Sequence, residues 1–551
     1  MFQQTVNHRW FLNLAVIIII GGLIFQIIGA WQDSPTSDEN NHLAAGVIYD
    51  QLGDFTHNRA HPPLVKIIAA LPVVIGRMAS VDTSSDAWKT APDATIARQL
   101  FYNQTGLSRP QTIFFVGRLG VILFWLLLAM VITGWVKSRW GPGGALLALA
   151  VFVFDPNFLG HGHLINTDVP LAAMMLTTIW FADRYFRQPN RGRLITLGLV
   201  TGVLLVTKFS AIIIVPLLLV FGLIKIWRDR PVYNWRKFGQ LVAAVAGLSL
   251  IVIWVSYGFQ VAPLDIGHRF NLPPAIINLR VPAASYWQGL RDVVVHNETG
   301  HGNYFNGQNS DTGSIEYFPE AFILKTPILT VALLLIWIVT GLITMIKQRV
   351  WRNWREVPFA AWLFGLPPLI YFAFAMYSNL NIGLRHIFPV YPFLFLAVGS
   401  LSTLAWPKRV EIRQTLIASL TIIPIVVAIR AWPNTIGYYN ALAGGTRGGY
   451  RYLLDSNLDW GQDYWRLRNF LDQKKFPLIQ VALFGSTPIP AIFPEATRPV
   501  LNDDLAKGIK PSGVLVVSAN VLYENNSKLS WLLSRQPAWR IGSSILIYDF
   551  R

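Results

Sequence analysis

Apolar runs close to the length that crosses a bilayer recur from Trp10 to about Ala431. A helix of about 20 apolar residues crosses roughly 30 Å of hydrocarbon. The third to sixth runs are shorter, and each is either a crossing or a broken or buried helix inside a bundle. The pattern predicts about eleven transmembrane helices, near residues 10–30, 112–136, 143–155, 167–186, 193–206, 209–226, 238–258, 327–346, 357–377, 386–405 and 412–431.

Two long polar segments interrupt this predicted membrane region, which covers residues 1–431. They are the loops 31–111 and 259–325, and loops this long between membrane helices are usually functional or folded. Inside the first loop, the run from Pro62 to Met78 is apolar but contains Lys66 and Arg77. This run predicts an interfacial helix, with a short transmembrane hairpin as the alternative.

The remaining residues, 432–551, have mixed polarity and predict a separate small α/β domain. Helical spacing marks one stretch, and short apolar runs bounded by Gly and Pro mark three strands. The predicted helix is Gly461–Asp472, and the predicted strands are Leu478–Phe484, Gly513–Ser518 and Ser544–Tyr548.

Composition agrees with a membrane protein, because 53% of the 551 residues are hydrophobic and only 14% are charged. The formal charge of +17 comes largely from Lys and Arg in short loops between apolar runs. Such clusters follow the positive-inside rule, so the positive charge indicates the orientation of the chain in the membrane and not nucleic-acid binding. The N-terminus is then cytoplasmic, and an odd number of crossings places the long loops and residues 432–551 outside. With no cysteine, the chain has neither disulfides nor thiolate chemistry.

The first candidate for chemistry is the pair Asp38-Glu39, directly after the first predicted helix. A carboxylate at the membrane surface can accept a proton from an attacking hydroxyl or amine, as a general base does in group transfer. The alternative is a helix N-cap, since Ser37 or Asp38 followed by acidic residues also begins a helix well.

A second polar cluster, Asp155 to Asp168, lies at the predicted outer turn between the third and fourth spans. It contains His161, His163 and Asn166. Asp168 begins a helix there, so capping is again the alternative. Polar groups beside lipid, however, need partners or a water-filled cavity. The spacing of the His and Asp residues fits no standard metal-ligand pattern.

Outward-facing cations form a third group. Single Lys or Arg residues often only reach toward lipid headgroups. Arg385, followed by His386, lies at the outer end of the tenth predicted span, and its planar guanidinium suits a phosphate. The group consists of Arg59, Lys66, Lys208, Arg269, Arg280, Lys325 and Arg385, accompanied by His61 and His386.

The segment Asp455 to Asp463 contains three aspartates together with Asn457, Trp460 and Gln462. Such residues can bind a sugar. A helix start at Asp459 explains them slightly better, and binding of an acceptor near the membrane stays open.

Several of these features together resemble the C-type membrane glycosyltransferases. They are the acidic pair after the first helix, the His61-Pro62-Pro63-Leu64 segment, the Asn166-Thr167-Asp168-Val169-Pro170 turn and a large outer C-terminal domain. The sequence is most similar to bacterial relatives of the protein O-mannosyltransferases and of the lipid A aminoarabinose transferase. Further similar segments are Gly300–Tyr304, Tyr317–Pro327, Asn381–His386 and Asp455–Asp463.

The resemblance implies transfer of a hexose or pentose, with inversion, from a polyprenyl-phosphate donor to a lipid, glycan or protein acceptor. The reaction would take place at the outer face of a bacterial inner membrane. No cofactor is assigned, and a divalent cation is left open. By the resemblance, the catalytic residues are Asp38, Glu39 and Asp168; the donor-phosphate residues are Arg59, Lys66, Arg385 and His386; and the substrate-binding residues are His61, His163, Asn166, His301, Tyr304 and Asp459.

The C-terminal segment looks unlike the sugar-binding domain of eukaryotic mannosyltransferases, which argues against protein O-mannosylation. The main alternative class is a transporter or flippase of lipid-linked sugars. Such a protein is expected to have polar residues at helix midpoints and two repeated halves, whereas the spans here are largely free of polar residues. A structural protein would not concentrate Asp, His and Arg on one membrane face. Within the enzymes, transfer of a sugar phosphate is the second interpretation.

Overall fold

The computed structural model describes residues 8–84, 88, 93–103, 108–230, 232–266, 278–349, 352–404, 409–493, 497–499, 507, 513–525 and 529–551. Helices dominate up to residue 431. The α-helices of this part are α1 (His8–Gln32), α2 (Ser37–Leu52), α3 (Leu64–Ile75), α4 (Asp93–Tyr102), α5 (Ser108–Trp140), α6 (Pro142–Val153), α7 (Pro156–His161), α8 (Asp168–Arg187), α9 (Arg191–Leu205), α10 (Ile214–Arg228), α11 (Trp235–Ser256), α12 (Ala284–Thr299), α13 (Tyr317–Lys325), α14 (Ile328–Lys347), α15 (Phe359–Met376), α16 (Tyr391–Ser400) and α17 (Val410–Ala431). Short 3-10 helices precede α10 at Phe209–Ile213 and α16 at Leu384–Val390.

Every one of the eleven predicted spans coincides with a helix, which confirms the helical membrane fold. Within the described residues, seven helices are long and apolar enough to cross a membrane. They are Arg9–Gln32, Arg109–Trp140, Phe209–Arg228, Trp235–Ser256, Ile328–Lys347, Phe359–Met376 and Leu384–Thr403. The other four predicted spans correspond to α6, α8, α9 and α17, which are shorter or more charged at their ends.

The helix contacts define two faces of the bundle. At one face, Lys137 near the end of α5 lies 4.3 Å above the ring of Phe11 near the start of α1. At the other, Trp31 and Phe115 meet with ring centroids 5.4 Å apart. Helices α1 and α5 are therefore antiparallel, and the basic end of α5 is on the face opposite to the loop after α1.

The first long loop folds against the bundle through α2, α3 and α4. Gly46 of α2 allows the close approach of α3, because a Cβ there would lie 2.2 Å from the backbone oxygen of Lys66. Val65, Ala69 and Val73 of α3 are buried. The predicted helix at Pro62–Met78 is thus present as α3, with one face packed on the protein.

The second long loop contains two short antiparallel hairpins and two helices. Strands β1 (Val261–Pro263) and β2 (Arg280–Pro282) form the first hairpin, and β3 (Asn303–Phe305) and β4 (Gln308–Ser310) form the second. Helix α12 lies between them, and α13 leads into α14.

Beyond α17, the chain forms a five-stranded mixed sheet with α18 (Tyr464–Lys474) on it. The strands are β5 (Ile479–Ala482), β6 (Thr497–Pro499), β7 (Val514–Ser518), β8 (Trp539–Ile541) and β9 (Ile545–Asp549), in the order β6-β5-β7-β9-β8. Pairs β6–β5 and β5–β7 are parallel, and the other two pairs are antiparallel. Short helices α19 (Ile489–Ile492), α20 (Ala519–Glu524) and α21 (Ser530–Leu533) connect the strands.

The predicted helix and three strands of this segment are present, which confirms the α/β class; β6 and β8, of three residues each, were not predicted. Strand β7 is buried on both faces. Leu515 and Val517 join the hydrophobic core of the helical bundle, whereas Val514 and Val516 join a second core with α18. Because side chains alternate along a strand, one face of the sheet packs on the membrane region. The domain boundary at residue 432 stays a prediction.

Candidate active site

Helix α2 begins with a capping box that positions the predicted acidic pair. Thr36 is its N-cap, and Glu39 Oε2 accepts the backbone N–H of Thr36 at 2.8 Å. Glu39, not Asp38, therefore occupies the capping role. Asp38 lies in the first turn with its side chain 34% exposed.

Glu39 is fully buried and ion-paired with Arg118 of α5. Arg118 Nε and Nη2 donate to its two oxygens at 2.8 and 2.6 Å. Arg118 also donates to the carbonyls of Ala30, Asp33 and Ser34. Burial opposes the charged form, but Arg118 holds the pKa of Glu39 below its ordinary value. This geometry fixes the turn between α1 and α2, which favours a structural role for Glu39 over acid–base chemistry.

Asp38 and Asp168 come together at Arg385. The Nη1 atom of Arg385 lies 3.2 Å from an oxygen of each carboxylate. The other oxygen of Asp168 accepts a hydrogen bond from Lys208 Nζ at 2.5 Å. Asp168, Lys208 and Arg385 are buried, and Asp38 is half-buried. We call these four residues the charged cluster; it contains two predicted catalytic residues and one predicted phosphate ligand.

The guanidinium of Arg385 has two further contacts, both with the segment that follows α17. Its Nε donates to Ser456 Oγ at 3.0 Å, and its plane lies 4.2 Å from the ring centroid of Trp460. The four contacts of this side chain thus come from three separate parts of the chain, and contacts from several directions hold a side chain in one orientation.

Polar side chains without hydrogen-bond partners surround the charged cluster. Within the described part of the chain, these atoms include His61 Nδ1, His386 Nε2 and Asn166 Nδ2. Asn166 Oδ1 accepts the backbone N–H of Asp168 at 3.1 Å. Buried polar atoms are normally paired, so these three atoms have hydrogen-bonding capacity that the described residues leave unused.

Two predicted residues instead hold the backbone together. Lys66 is buried; its Nζ contacts the carbonyl of Asn58 and donates to that of His61 at 2.9 Å. Lys325, from the same group of cations, donates to the carbonyls of Ile436, Tyr438 and Asn457. Burial lowers the pKa of Lys325 well below its ordinary value. The phosphate role of Lys66 stays a prediction, and its contacts favour a structural one.

His163 belongs to a buried network that connects α1 to the C-terminal segment. Its Nε2 lies 3.1 Å from Asp33, which also accepts a hydrogen bond from Arg466 Nη2 at 2.5 Å. Arg466 further contacts Asp463, whose carboxylate accepts from Ser544 Oγ at 2.8 Å. His163 is therefore engaged away from the charged cluster.

The other predicted residues are dispersed. Arg59 donates to Gln288 of α12 at 2.8 Å and lies 3.6 Å from Asp292. His301 is exposed, and Tyr304 is buried in β3. Asp459 is completely buried; its carboxylate accepts the backbone N–H of Gly461 at 3.3 Å. The described residues contain no group of three or more His, Asp or Glu side chains that could hold a metal ion.

An apolar groove leads toward the charged cluster. A cavity of about 690 Å³ lies between α11 and α12, and a neighbouring cavity of about 270 Å³ shares Leu250, Ile253 and Trp287 with it. The second cavity reaches Tyr286, whose ring packs 5.2 Å from that of Phe209. Phe209 directly follows Lys208 in the chain. Tyr286 and Phe209 thus lie between the groove and Lys208 of the cluster.

Some site residues were missed in the sequence or not assigned. The sequence places Lys208 among the outer cations but assigns it no role. Ser456 and Trp460 lie in the segment Asp455 to Asp463, for which sugar binding and a helix start are both open. Arg118 offered a signal, since an arginine within an apolar membrane helix needs a partner. The contacts of Ser456 with Arg385 join positions 71 residues apart, which no local pattern reveals.

The fold and this site define a polytopic membrane protein whose charged cluster lies at one membrane face, with Tyr286 and Phe209 between it and an apolar groove. Residues 111–257, from α5 to the end of α11, match the model of the family described as dolichyl-phosphate-mannose-protein mannosyltransferase. This match confirms over that segment the resemblance seen in the sequence. No curated protein sequence matches the chain.

Solved structures to which this chain is similar include those of two proteins. ArnT from Cupriavidus metallidurans in the apo state is 14% identical with a TM-score of 0.48, and the similarity covers 97% of both chains. The same protein bound to undecaprenyl phosphate is 16% identical with a TM-score of 0.45 and the same coverage. The oligosaccharyltransferase AglB from Archaeoglobus fulgidus, in complex with an inhibitory peptide and a dolichol-phosphate, is 10% identical with a TM-score of 0.49, covering 95% of this chain and 72% of AglB.

Proposed function

We propose that this protein is a glycosyltransferase that moves a sugar from a polyprenyl-phosphate carrier to an acceptor at the outer face of the membrane. The observation that carries the proposal is the charged cluster, in which Lys208 and Arg385 share the buried Asp168 and Arg385 also contacts the half-buried Asp38. An isoprenoid tail fits a groove lined by apolar side chains, while a phosphate at its end would meet Lys208 and Arg385. The family match over residues 111–257 also supports a lipid-phosphate donor.

The reaction we propose is a single displacement. The acceptor hydroxyl or amine attacks the anomeric carbon, and the bond from that carbon to the phosphate oxygen breaks. Asp38 accepts the proton of the acceptor, and the polyprenyl phosphate leaves with the bonding electrons. Attack opposite to the leaving group inverts the anomeric centre. Asp38 is half-buried, whereas the other three residues of the charged cluster are buried. This access to the side chain supports the role of Asp38 as the base.

Lys208 and Arg385 would stabilise the charge that develops on the departing phosphate. Both cations are already neutralised in part by Asp168, so an arriving phosphate competes with this carboxylate. Arg59, which contacts Gln288 and Asp292 of α12, would attract the phosphate before it reaches the cluster. His61, His386 and Asn166 would donate to the sugar or the acceptor.

We further propose that the N-terminus is cytoplasmic and that the charged cluster is outside, in a bacterial inner membrane. The positive-inside rule supports this orientation, since basic residues end α5, α8 and α10. Because the chain has no cysteine, single-cysteine variants can be labelled with a membrane-impermeant maleimide. Labelling of Asp472→Cys but not of Arg193→Cys in intact cells is expected; the reverse pattern would refute the orientation.

The central test is sugar release from a panel of radiolabelled polyprenyl-phosphate sugars by the full chain in proteoliposomes, with membrane extract as acceptor source. Asp38→Asn should abolish release and transfer. Asp54→Asn is the matched control, because Asp54 belongs to the same outer loop and its side chain is also 34% exposed, but its partners are Thr56 and His57. Parallel reactions with EDTA and with Mg²⁺ or Mn²⁺ test the divalent cation.

Transfer that depends on Asp38 but not on Asp54 would support the proposal. A folded protein that releases no sugar from any donor, but equilibrates lipid-linked sugars between leaflets, would replace it by the flippase alternative. Release of a sugar phosphate in place of the free sugar would indicate the second type of transfer.

A further inference from the structure

The segment 455–460 is the part of the C-terminal region that touches Arg385. Ser456 and Trp460 are both buried, and their contacts with the guanidinium come from two directions: a hydrogen bond to Nε and the face of the indole ring. Among the described residues, Arg385 Nη2 is then the guanidinium nitrogen without a hydrogen-bond partner. The two N–H groups of Nη2 are therefore left for a ligand.

The same segment also fixes the backbone on both sides of Arg385. Asn457 Oδ1 accepts the N–H of Leu384 at 2.9 Å, and Ser456 Oγ donates to the carbonyl of Ile382 at 2.5 Å. Gly383 lies between these contacts, where a Cβ would be 2.1 Å from Ser456 Oγ. Its φ of +154° is also open mainly to glycine. The loop before α16 is thus shaped to receive this segment.

A single buried side chain, Asn520 at the start of α20, holds the segment in place. Its Oδ1 accepts the N–H of Asp455 at 3.0 Å, and its Nδ2 donates to the carbonyl of Asp459 at 2.9 Å. The Asp459 carboxylate faces the backbone N–H of Asn520 at 3.4 Å. These contacts hold the chain at Asp455 and at Asp459, and they keep Ser456, which lies between the two, pointing at Arg385.

We propose that the segment 455–460 is a functional part of the active site, in which Ser456 and Trp460 are positioning residues for Arg385 and Asn520 positions the segment. This inference rests on the proposed function, because it assigns Arg385 to the binding of the donor phosphate. It also gives the C-terminal region a direct part in the reaction at the membrane face. Asp459, predicted to bind substrate, acts here by ordering the segment.

The first readout is the orientation of Arg385 itself, independent of turnover. In the full chain reconstituted in lipid, the rate at which phenylglyoxal modifies Arg385 is followed by peptide mass spectrometry. Ser456→Ala should speed this modification about tenfold or more, the change expected from one lost hydrogen bond to a charged group. Trp460→Leu should act in the same direction, while Trp460→Phe keeps an aromatic face and should stay close to the wild type.

Asn520→Ala should also speed the modification of Arg385, although Asn520 acts through the segment and not by direct contact. Its matched control is Asn525→Ala: Asn525 directly follows α20, and its side chain donates to the carbonyl of Val521 within the same turn, not to the segment. Unchanged modification of Arg385 in Ser456→Ala, Trp460→Leu and Asn520→Ala would overturn the inference.

The second readout is sugar transfer. Ser456→Ala and Asn520→Ala should lower kcat by about 10- to 100-fold, with Trp460→Phe retaining most of it and Asn525→Ala all of it. If the wild-type protein transfers no sugar but the variants still speed the modification of Arg385, the proposed function is refuted, whereas the positioning contacts are supported. Full transfer activity in variants that expose Arg385 would refute the functional role of the segment.

Discussion

The carboxylates of Asp38 and Asp168 accept hydrogen bonds from the same atom, Nη1 of Arg385, each at 3.2 Å. Their surroundings differ: Asp38 is 34% exposed at the side chain, whereas Asp168 is 1% exposed and also paired with Lys208. One carboxylate is accessible to a substrate proton, and the other is locked between two cations. We therefore expect the two residues to respond differently to the same substitution.

Asp38→Asn should lower kcat by about 10²- to 10⁴-fold, the range for loss of a general base. The amide keeps the shape of the side chain but cannot take the proton. Donor KM should change little, because Lys208 and Arg385 remain. Steady-state kinetics in proteoliposomes measure both constants. A large rise in KM with unchanged kcat would mean that Asp38 binds substrate and does not act as the base.

Asp168→Asn should tighten the binding of polyprenyl phosphate, by about tenfold, because it removes the buried negative charge that Lys208 and Arg385 share and leaves Arg385 paired with Asp38 alone. Lys208→Gln should weaken binding by a similar factor. Equilibrium binding of fluorescent polyprenyl phosphate to the purified variants measures this.

Lys225→Gln is the control for Lys208→Gln. Lys225 also pairs with an aspartate, Asp229, but at the end of α10 that is remote from the charged cluster. Equal affinities in all four proteins would exclude Lys208 and Asp168 from the phosphate site.

The membrane fold was predictable because each helix must satisfy its backbone hydrogen bonds within an apolar run, and such runs are visible locally. Asp38, Asp168 and Arg385 were recognisable because each lies in a polar group on the predicted outer face, where polar groups beside lipid need partners or a water-filled cavity. Lys66 and His163 also lie in polar parts of the predicted outer face, but their contacts in the structure favour structural roles. His163 meets Asp33 across 130 positions, and Asp33 meets Arg466 across 433 positions. Pairings at such separations come from tertiary packing, which a single sequence does not display.

Glu39→Gln should lower the free energy of unfolding by about 3–5 kcal/mol, the cost of leaving one partner of a buried ion pair uncompensated. Arg118 would keep its charge in a site without a carboxylate. Thermal unfolding in detergent, followed by tryptophan fluorescence, measures the change. Asp472→Asn breaks the exposed pair of Asp472 with Arg468 and should cost less than about 1 kcal/mol. Normal stability of Glu39→Gln together with lost turnover would instead support the catalytic role predicted for Glu39.

The stability of the C-terminal segment should fall as the pH rises from about 5 to 8. Burial raises the pKa of Asp459 to about 7, and it also raises those of Asp455 and Glu524, to about 6 and about 7. A carboxyl with a raised pKa keeps its proton in the folded state after the unfolded chain has lost it. Folding is therefore favoured most at the acidic end, and the advantage is lost as the pH approaches the folded pKa.

Asp459→Asn removes one of these groups, so its melting temperature should decrease less steeply over this range than that of the wild type. Asp472→Asn, at an exposed carboxylate, should retain the wild-type slope. Parallel melting curves of wild type and Asp459→Asn would show that Asp459 is ionised in the folded protein at both ends of the range.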